Sequence, residues 1–350
     1  MAKVVILGAG VMGSAMAMPA AARGNRVALV GTDLDADTIR SVQGNGWHPR
    51  LGLSMPEGVT AHPVQEFGDA LSDDTDLLVL GVSSTGVPWV IDRLAETLRR
   101  PVAVLMITKG LGVADGALQT LPEAVRRGVE ERTGIALSVM AVGGPCIAGE
   151  LAAERDTSVV IAGGDRAAVE RAIALLDAPF YHARASADLV GVEVCAAFKN
   201  FFAIAVGSAA GRLEREGEAP NGALAHNLSA SLFAQSLQEL RLLVEALGGT
   251  RESVEGLPGA GDLYVTCQAG RNARMGRLLG LGLSFREAKA EHMPGDTVEG
   301  ADLALAVGPT LEAMWADGRL PAERMPLSRA LLQAIARDAP FEPRFVDLHR

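Results

Sequence analysis

Short apolar runs separated by amphipathic stretches fill the first half of the chain. Lys3–Leu7 (KVVIL), Arg26–Val30 (RVALV), Asp76–Gly81 (DLLVLG), Val102–Ile107 (VAVLMI), Ala136–Val142 (ALSVMAV) and Thr157–Ala162 (TSVVIA) have the length and unbroken hydrophobicity of strands covered on both faces. Ser14–Arg23, Val87–Arg99, Ala117–Arg132 and Asp165–Leu176 read as helices between them, the last with an acidic start. Pro19 should kink the first helix about two turns in. This alternation predicts an α/β fold, a Rossmann-type doubly wound parallel sheet. From about Ala187 the pattern changes to helical periodicity over Val190–Gly211, Leu224–Leu247, Ala273–Leu279, Phe285–Glu291, Ala301–Trp315 and Leu327–Ala336. Two domains follow, residues 1–186 and an all-α domain over 187–350. A chain of 350 residues also exceeds what one hydrophobic core usually organises. Arg212–Ala219 (RLEREGEA) is a charged surface loop or a helical extension.

The first strand runs directly into Gly8-Ala9-Gly10-Val11-Met12-Gly13, and a helix and a second strand follow. Strand, G-x-G-x-x-G, helix, strand is the context that turns a common pattern into a dinucleotide fingerprint. Gly8 permits the tight turn, Gly10 lets a pyrophosphate approach the backbone, and Gly13 lets the helix pack closely. The helix start then offers free N–H groups and partial positive charge to the phosphates. After the second strand the chain reads Gly31-Thr32-Asp33-Leu34-Asp35, with Asp37 beyond. Without an arginine there, and with three aspartates that repel a 2′-phosphate, NAD is the expected cofactor. Gly31 occupies the usual place of the ribose-binding acid, so NADP stays open, and the aspartates also suit a solvated turn and helix cap. In such sheets ligands sit beyond the carboxyl ends of the strands, which brings Ser83-Ser84, Thr108-Lys109-Gly110 and Gly143-Gly144-Pro145-Cys146 into consideration. Lys109 there is either an anion contact or a surface lysine.

Val190–Gly211 carries Lys199 and Asn200 in the middle of about six apolar helical turns. Its length suits a membrane span, but a central lysine disfavours insertion by roughly 2.5–3.5 kcal/mol, and Glu193 and Asn200 add to that. A buried core helix with one polar spot is the expectation. A buried ammonium pairs, shifts its pKa or performs chemistry, so Lys199 is a structural ion pair or an active-site group. Further on, a glycine-rich stretch, Gly256–Gly261, delivers Asp262, then Thr266, Arg271 and Asn272. On a helical turn Asp262 and Thr266 face the same way. The set could hold a lysine, a hydroxyl and a phosphate, or could be a turn with ordinary capping. Asp296–Gly300 adds Glu299 in a polar turn before a helix.

Composition narrows the partners. The net charge of −10 argues against nucleic acid, since no basic excess meets a phosphate backbone. The three widely spaced cysteines, Cys146, Cys195 and Cys267, read as reduced thiols of a cytoplasmic protein and not as a disulfide or metal set. The N-terminus begins a strand at once and has no signal-peptide layout.

The motifs GAGVMG at 8–13, TKGL at 108–111, GPCIA at 144–148 with Glu150, GVEVCAAFKN at 191–200, GAGDLYVTC at 259–267, GRN at 270–272 and VEG at 298–300 occur in this order. Together they resemble the NAD(P)-dependent glycerol-3-phosphate dehydrogenase family over nearly the whole chain. The resemblance implies that residues 1–186 bind the dinucleotide and that 187–350 hold substrate and catalysis. Lys199 would be the general acid or base as hydride passes between the nicotinamide and dihydroxyacetone phosphate, with Asp262 beside it. Lys109, Asn200, Thr266, Arg271 and Asn272 would contact the phosphorylated substrate. Gly8, Gly10, Val11, Met12, Gly13, Asp33, Ala148, Arg271 and Glu299 would contact the cofactor. A homodimer, and a role in supplying glycerophospholipid precursors, are the family expectations. Apolar walls lower a lysine's pKa and a nearby aspartate raises it, a balance suited to proton transfer. The chain departs from the family at Cys146, Ser229, Ser231, Gln235 and Ser236, where two cations are missing, and in a longer connection over 210–226. Another polyol phosphate therefore remains an alternative substrate. A β-hydroxyacid or 6-phosphogluconate-type dehydrogenase is disfavoured because its lysine and asparagine are spaced apart. A nicotinamide sensor without turnover is disfavoured by the presence of Lys199, Asp262 and Thr266.

Overall fold

The structure is a computed structural model that describes residues 1–217, 219, 221–343, 346 and 348. The chain forms two compact units: Met1–Lys109 with Thr120–Leu189, and Gly110–Gln119 with Val190–Arg350.

The first unit is built on an eight-stranded sheet. Its strands are β1 (Lys3–Leu7), β2 (Arg26–Val30), β3 (Val59–His62), β4 (Leu77–Leu80), β5 (Ala103–Met106), β6 (Ser138–Gly143), β7 (Thr157–Ala162) and β8 (Tyr181–Ser186). Their spatial order is β8-β7-β6-β5-β4-β1-β2-β3. Val4 and Ile6 pack into one apolar layer and Val5 and Leu7 into another, which is why the strand is hydrophobic without alternation. All pairings are parallel except β6 with β7, so the sheet is parallel with one antiparallel join. A helix of five residues, Ala148–Ala152, lies between those two strands. It rises only about 7.5 Å, short of the roughly 20 Å back along a six-residue strand, and β7 therefore runs the other way. The edge strands β3 (VTAH) and β8 (YHARAS) escape the sequence pattern, because half-exposed edges tolerate polar residues.

Pro19 acts as expected. It has no N–H for the Ala15 carbonyl, and the helix divides at Met16 into Val11–Ala15 and Ala17–Ala22. The expected helix over Ala117–Arg132 begins instead at Leu121. Leu111–Ala114 and Ala117–Thr120 form a hairpin that belongs, as far as Gln119, to the second unit. Asp115 and Gly116 at its tip both have positive φ, 52° and 75°, the signature of a tight Asp-Gly hairpin turn.

In the second unit the helix Leu189–Glu216 runs through the core. It is long and apolar enough to cross a membrane, yet its most apolar window is 83% buried within the protein. Phe198, Phe201 and Phe202 pack edge-on or tilted with centroids 5.3–6.2 Å apart. The charged stretch from Arg212 extends this helix to Glu216, while Glu218 and Pro220 lie outside the described residues. Around it pack His226–Ala246, Arg271–Gly280, Glu299–Ala316 and Pro326–Arg337.

Glycines set the closest of these contacts. A Cβ on Gly207 would lie 2.4 Å from Ala273 O, and one on Gly211 1.8 Å from Arg277 O. From the other helix, a Cβ on Gly276 would lie 1.9 Å from Ile204 O, and one on Gly280 2.1 Å from Ser208 O. Two glycines four residues apart on each helix thus bring Leu189–Glu216 and Arg271–Gly280 into backbone contact. A Cβ on Gly300 would likewise lie 2.4 Å from Asn200 O.

Candidate active site

Each unit holds one set of the candidate residues. In the first, β1 ends at Gly8, whose N–H donates to Val30 O at 2.8 Å. Gly8 has φ +110°, and a Cβ there would strike Gly81 O at 2.7 Å, while one on Gly13 would strike Gly8 O at 2.1 Å. Packing therefore demands these two glycines. Gly10 is different: a Cβ on it meets nothing within 4 Å. The open space lies at the start of the helix Val11–Ala15, where N–H groups have no intrahelical acceptor. A cradle that packing leaves open, lined by free donors at a helix start, fits the pyrophosphate of a dinucleotide. Val11 and Met12 are half-buried in that first turn, Ala148 opens its own short helix, and Lys109 lies just past β5. Lys109 also lines a small cavity with Met12, Met16, Cys146 and Tyr181.

The aspartates after β2 divide their tasks. Asp33 is exposed, and Asp37 is exposed and pairs with Arg40. Asp35 is buried, and its Oδ2 accepts from Thr32 N (2.9 Å), Thr32 Oγ1 (2.8 Å) and Ala9 N (3.1 Å). Asp35 is therefore a brace of the glycine-rich loop.

In the second unit Lys199 is 8% exposed and Asp262 fully buried, and the lysine Nζ donates to Asp262 Oδ1. Asp262 is brought there by a π-helical turn, Leu257–Gly261, where the sequence reads as a loop. Glycine is required within it, because a Cβ on Gly259 would lie 2.2 Å from Val254 O. Such wide turns recur at functional sites. Thr266 Oγ1 donates to Asp262 O at 2.6 Å, so its contact is with the backbone of Asp262 and not with the carboxylate. Cys267 shares this neighbourhood; burial pushes its thiol pKa up to about 12, against the smaller opposing pull of Lys199.

A polar cluster adjoins the pair along the chain. Asn272 Nδ2 donates to Asn200 Oδ1 (3.1 Å) and to Glu299 Oε2 (3.2 Å), and Asn272 Oδ1 accepts from Gly300 N (2.9 Å). Arg271 forms an ion pair with Glu299, both about half-exposed. The structure thus brings together Lys199 with Asp262, and Asn200 with Asn272, Glu299 and Arg271. A buried ammonium held by a carboxylate, beside amides and a guanidinium, can deliver a proton to a carbonyl oxygen and hold an anionic group.

The departure at Gln235 has a structural reading. Its amide donates to Glu239 Oε1 at 2.8 Å in the core. Glu239 also accepts from Leu327 N (2.8 Å), Ser328 N (2.7 Å) and Ser328 Oγ (2.6 Å) at the start of the helix Pro326–Arg337. Burial raises the pKa of Glu239 against those four donors. Sequence reasoning passed over this cap, the loop brace of Asp35, and the buried His48 beside Ala9. It also missed the paired glycines, although their four-residue spacing at 207/211 and 276/280 was a readable signal.

Comparison with known proteins identifies the family. Residues 3–169 match the N-terminal model of NAD-dependent glycerol-3-phosphate dehydrogenase and residues 188–343 its C-terminal model. The chain is 34% identical, over 82% of its length and 83% of the relative's, to an NADP(+)-dependent glycerol-3-phosphate dehydrogenase of Archaeoglobus fulgidus. It is 29% identical, over 97% of its length and 94% of the relative's, to a glycerol-3-phosphate dehydrogenase [NAD(P)+] of Halorhodospira halophila. The crystal structure of glycerol-3-phosphate dehydrogenase from Coxiella burnetii superposes with a TM-score of 0.79 at 27% identity, covering 97% of this chain and 96% of that one. This chain belongs to the NAD(P)-dependent glycerol-3-phosphate dehydrogenase family, oxidoreductases that act on a CH–OH group.

Proposed function

We propose that the chain interconverts dihydroxyacetone phosphate and sn-glycerol 3-phosphate with Lys199 as the proton-transfer group. The observation that carries this reading is the buried Lys199–Asp262 pair in a unit that also gathers Asn200, Asn272, Arg271 and Glu299. The nicotinamide cofactor supplies or accepts hydride at the carbon. Lys199 gives its proton to the carbonyl oxygen in reduction and takes it back in oxidation, so no alkoxide has to form unprotected. Asp262 holds the ammonium in place and favours its charged form before transfer. Asn200 and Asn272 orient the substrate, and Arg271, released from Glu299, meets its phosphate. Lys109 and Thr266 are the remaining substrate contacts. Residues 1–186 form the cofactor domain, whose cofactor contacts are Gly8–Gly13, Asp33 and Ala148; in the substrate domain, 187–350, the proposed cofactor contacts are Arg271 and Glu299. The enzyme would work as a cytoplasmic homodimer that supplies glycerol 3-phosphate to glycerophospholipid synthesis.

An NADH-consumption screen across ketone phosphates of three to five carbons tests the substrate. Dihydroxyacetone phosphate should react fastest, and Lys199→Ala should lower kcat by at least about a hundredfold with NADH binding retained. Full activity in that variant removes Lys199 from the mechanism. A longer ketone phosphate reacting faster would move the assignment to another polyol phosphate.

A further inference from the structure

His48 is fully buried in the first unit, on a short hairpin of Trp47–His48 with Leu53–Ser54. Leu51 N–H donates to its Nδ1 at 3.0 Å. A neutral imidazole has one acceptor and one donor nitrogen, so an Nδ1 that accepts leaves the proton on Nε2. Nε2 lies 3.3 Å from Ala9 O, and that contact is accordingly a donation to the carbonyl. Burial lowers the pKa of His48, in keeping with a neutral ring. On its other side Ala9 donates its N–H to Asp35. Ala9 is thus held at both ends, between Gly8 and Gly10. In a trans peptide the carbonyl and the following N–H point in opposite directions. Fixing Ala9 C=O towards His48 therefore turns the Gly10 N–H away from it, as one of the free donors of the helix start. A Cβ on Gly10 meets nothing within 4 Å, so this loop has room for a ligand.

We propose that His48 is a positioning residue for the nicotinamide cofactor. Its Nε2–H pins the Ala9 carbonyl and so aims the Gly10 N–H at the cofactor pyrophosphate. The inference rests on Gly8–Gly13 being the cofactor loop. A histidine that merely anchored the hairpin would need only the Leu51 bond, whereas this one spends its second nitrogen on the loop.

The two bonds can be separated by substitution. His48→Gln can place an amide N–H near the Nε2 position and keep the donation to Ala9. His48→Asn can place its amide oxygen near the Nδ1 position, keeping the Leu51 bond and losing Ala9. The measurements are NADH dissociation constants by fluorescence titration, kcat at saturating NADH, and thermal unfolding for each variant. His48→Asn should weaken NADH binding about tenfold, the scale of one hydrogen bond, with kcat within about twofold of the parent. His48→Gln should bind NADH within about threefold of the parent. Unchanged affinity in His48→Asn overturns the proposal, and so does an equal loss in both variants, which would report only a damaged hairpin. Gly10→Val tests the underlying loop reading separately, since a Cβ on Gly10 meets nothing within 4 Å, while a valine side chain there would fill the phosphate's place. If Gly10→Val binds NADH normally, the loop reading fails; if it loses NADH while His48→Asn keeps it, only the role of His48 is refuted.

Discussion

Replacing Gly276 by alanine tests whether backbone contact between two helices sets the active-site geometry. The added Cβ would lie 1.9 Å from Ile204 O. Reaching ordinary van der Waals contact near 3.4 Å requires the helices Leu189–Glu216 and Arg271–Gly280 to separate locally by about 1.5 Å. Neither side can yield by rotating a side chain, because the obstacle is a helical carbonyl. Overpacking of this kind costs about 1–3 kcal/mol, which lowers the melting temperature by several degrees at about 2–4 °C per kcal/mol. The displacement also propagates one turn along each helix, from Gly276 to Asn272 and from Ile204 to Asn200, where the two asparagines bond at 3.1 Å. A gap wider by about 1 Å breaks that bond and shifts Arg271 with it, and misplacement on this scale costs about a hundredfold in rate. The assay is thermal unfolding together with kcat/KM for NADH-dependent reduction of dihydroxyacetone phosphate. Gly44→Ala is the control: it lies in the helix Ala36–Asn45, its Cβ meets nothing within 4 Å, and it should gain up to about 1 kcal/mol from helix propensity. If Gly276→Ala keeps both the parent melting temperature and the parent kcat/KM, the helices are not locked by their glycines and the reasoning fails.

Cofactor choice gives a second expectation: NADH should show the lower Michaelis constant, because the exposed Asp33 just after β2 repels a 2′-phosphate. A lower value for NADPH would refute it. A third concerns pH. His48 has its pKa lowered from 6.5 chiefly by burial, with Arg50 lowering it further and Asp35 and backbone acceptors opposing. The folded chain then binds fewer protons than the unfolded chain below about pH 6.5, so stability falls as pH drops from there towards the lowered folded value. The melting temperature should decline over that window, and His48→Gln should flatten the decline; an equal decline in that variant would assign the effect to other groups.

The strands β1, β2 and β7 are readable to the residue, because burial on both faces leaves an unbroken apolar run with no alternative use. The glycine-rich turn is equally local: Gly8 and Gly13 answer to clashes within one strand–helix unit. Lys199 announces itself because an ammonium in an apolar helix is costly wherever that helix packs. The edge strands and the hairpin at 111–120 are weaker signals, since half-exposed strands carry mixed residues and a turn at Asp115-Gly116 needs a partner strand to matter.

What only the tertiary structure decided is which groups meet. Asp262 reaches Lys199 across a separation of 63 residues, through a π-helical turn that its sequence does not distinguish from a loop. Asp35 reads as part of an acidic turn and helix cap, and it does accept from Thr32 N in a capping box, but the same oxygen also braces Ala9, because the turn after β2 folds back under the glycine-rich loop. Gln235 reads as a missing cation at a ligand site, yet it serves Glu239 at a buried helix start. The sequence by itself determined the alternation of elements, the dinucleotide loop and the anomalous lysine, each a property of a short stretch and its own burial. The partners of that lysine, and the backbone contact of two helices that fixes its neighbours, depend on close approach between distant segments, which no single stretch encodes.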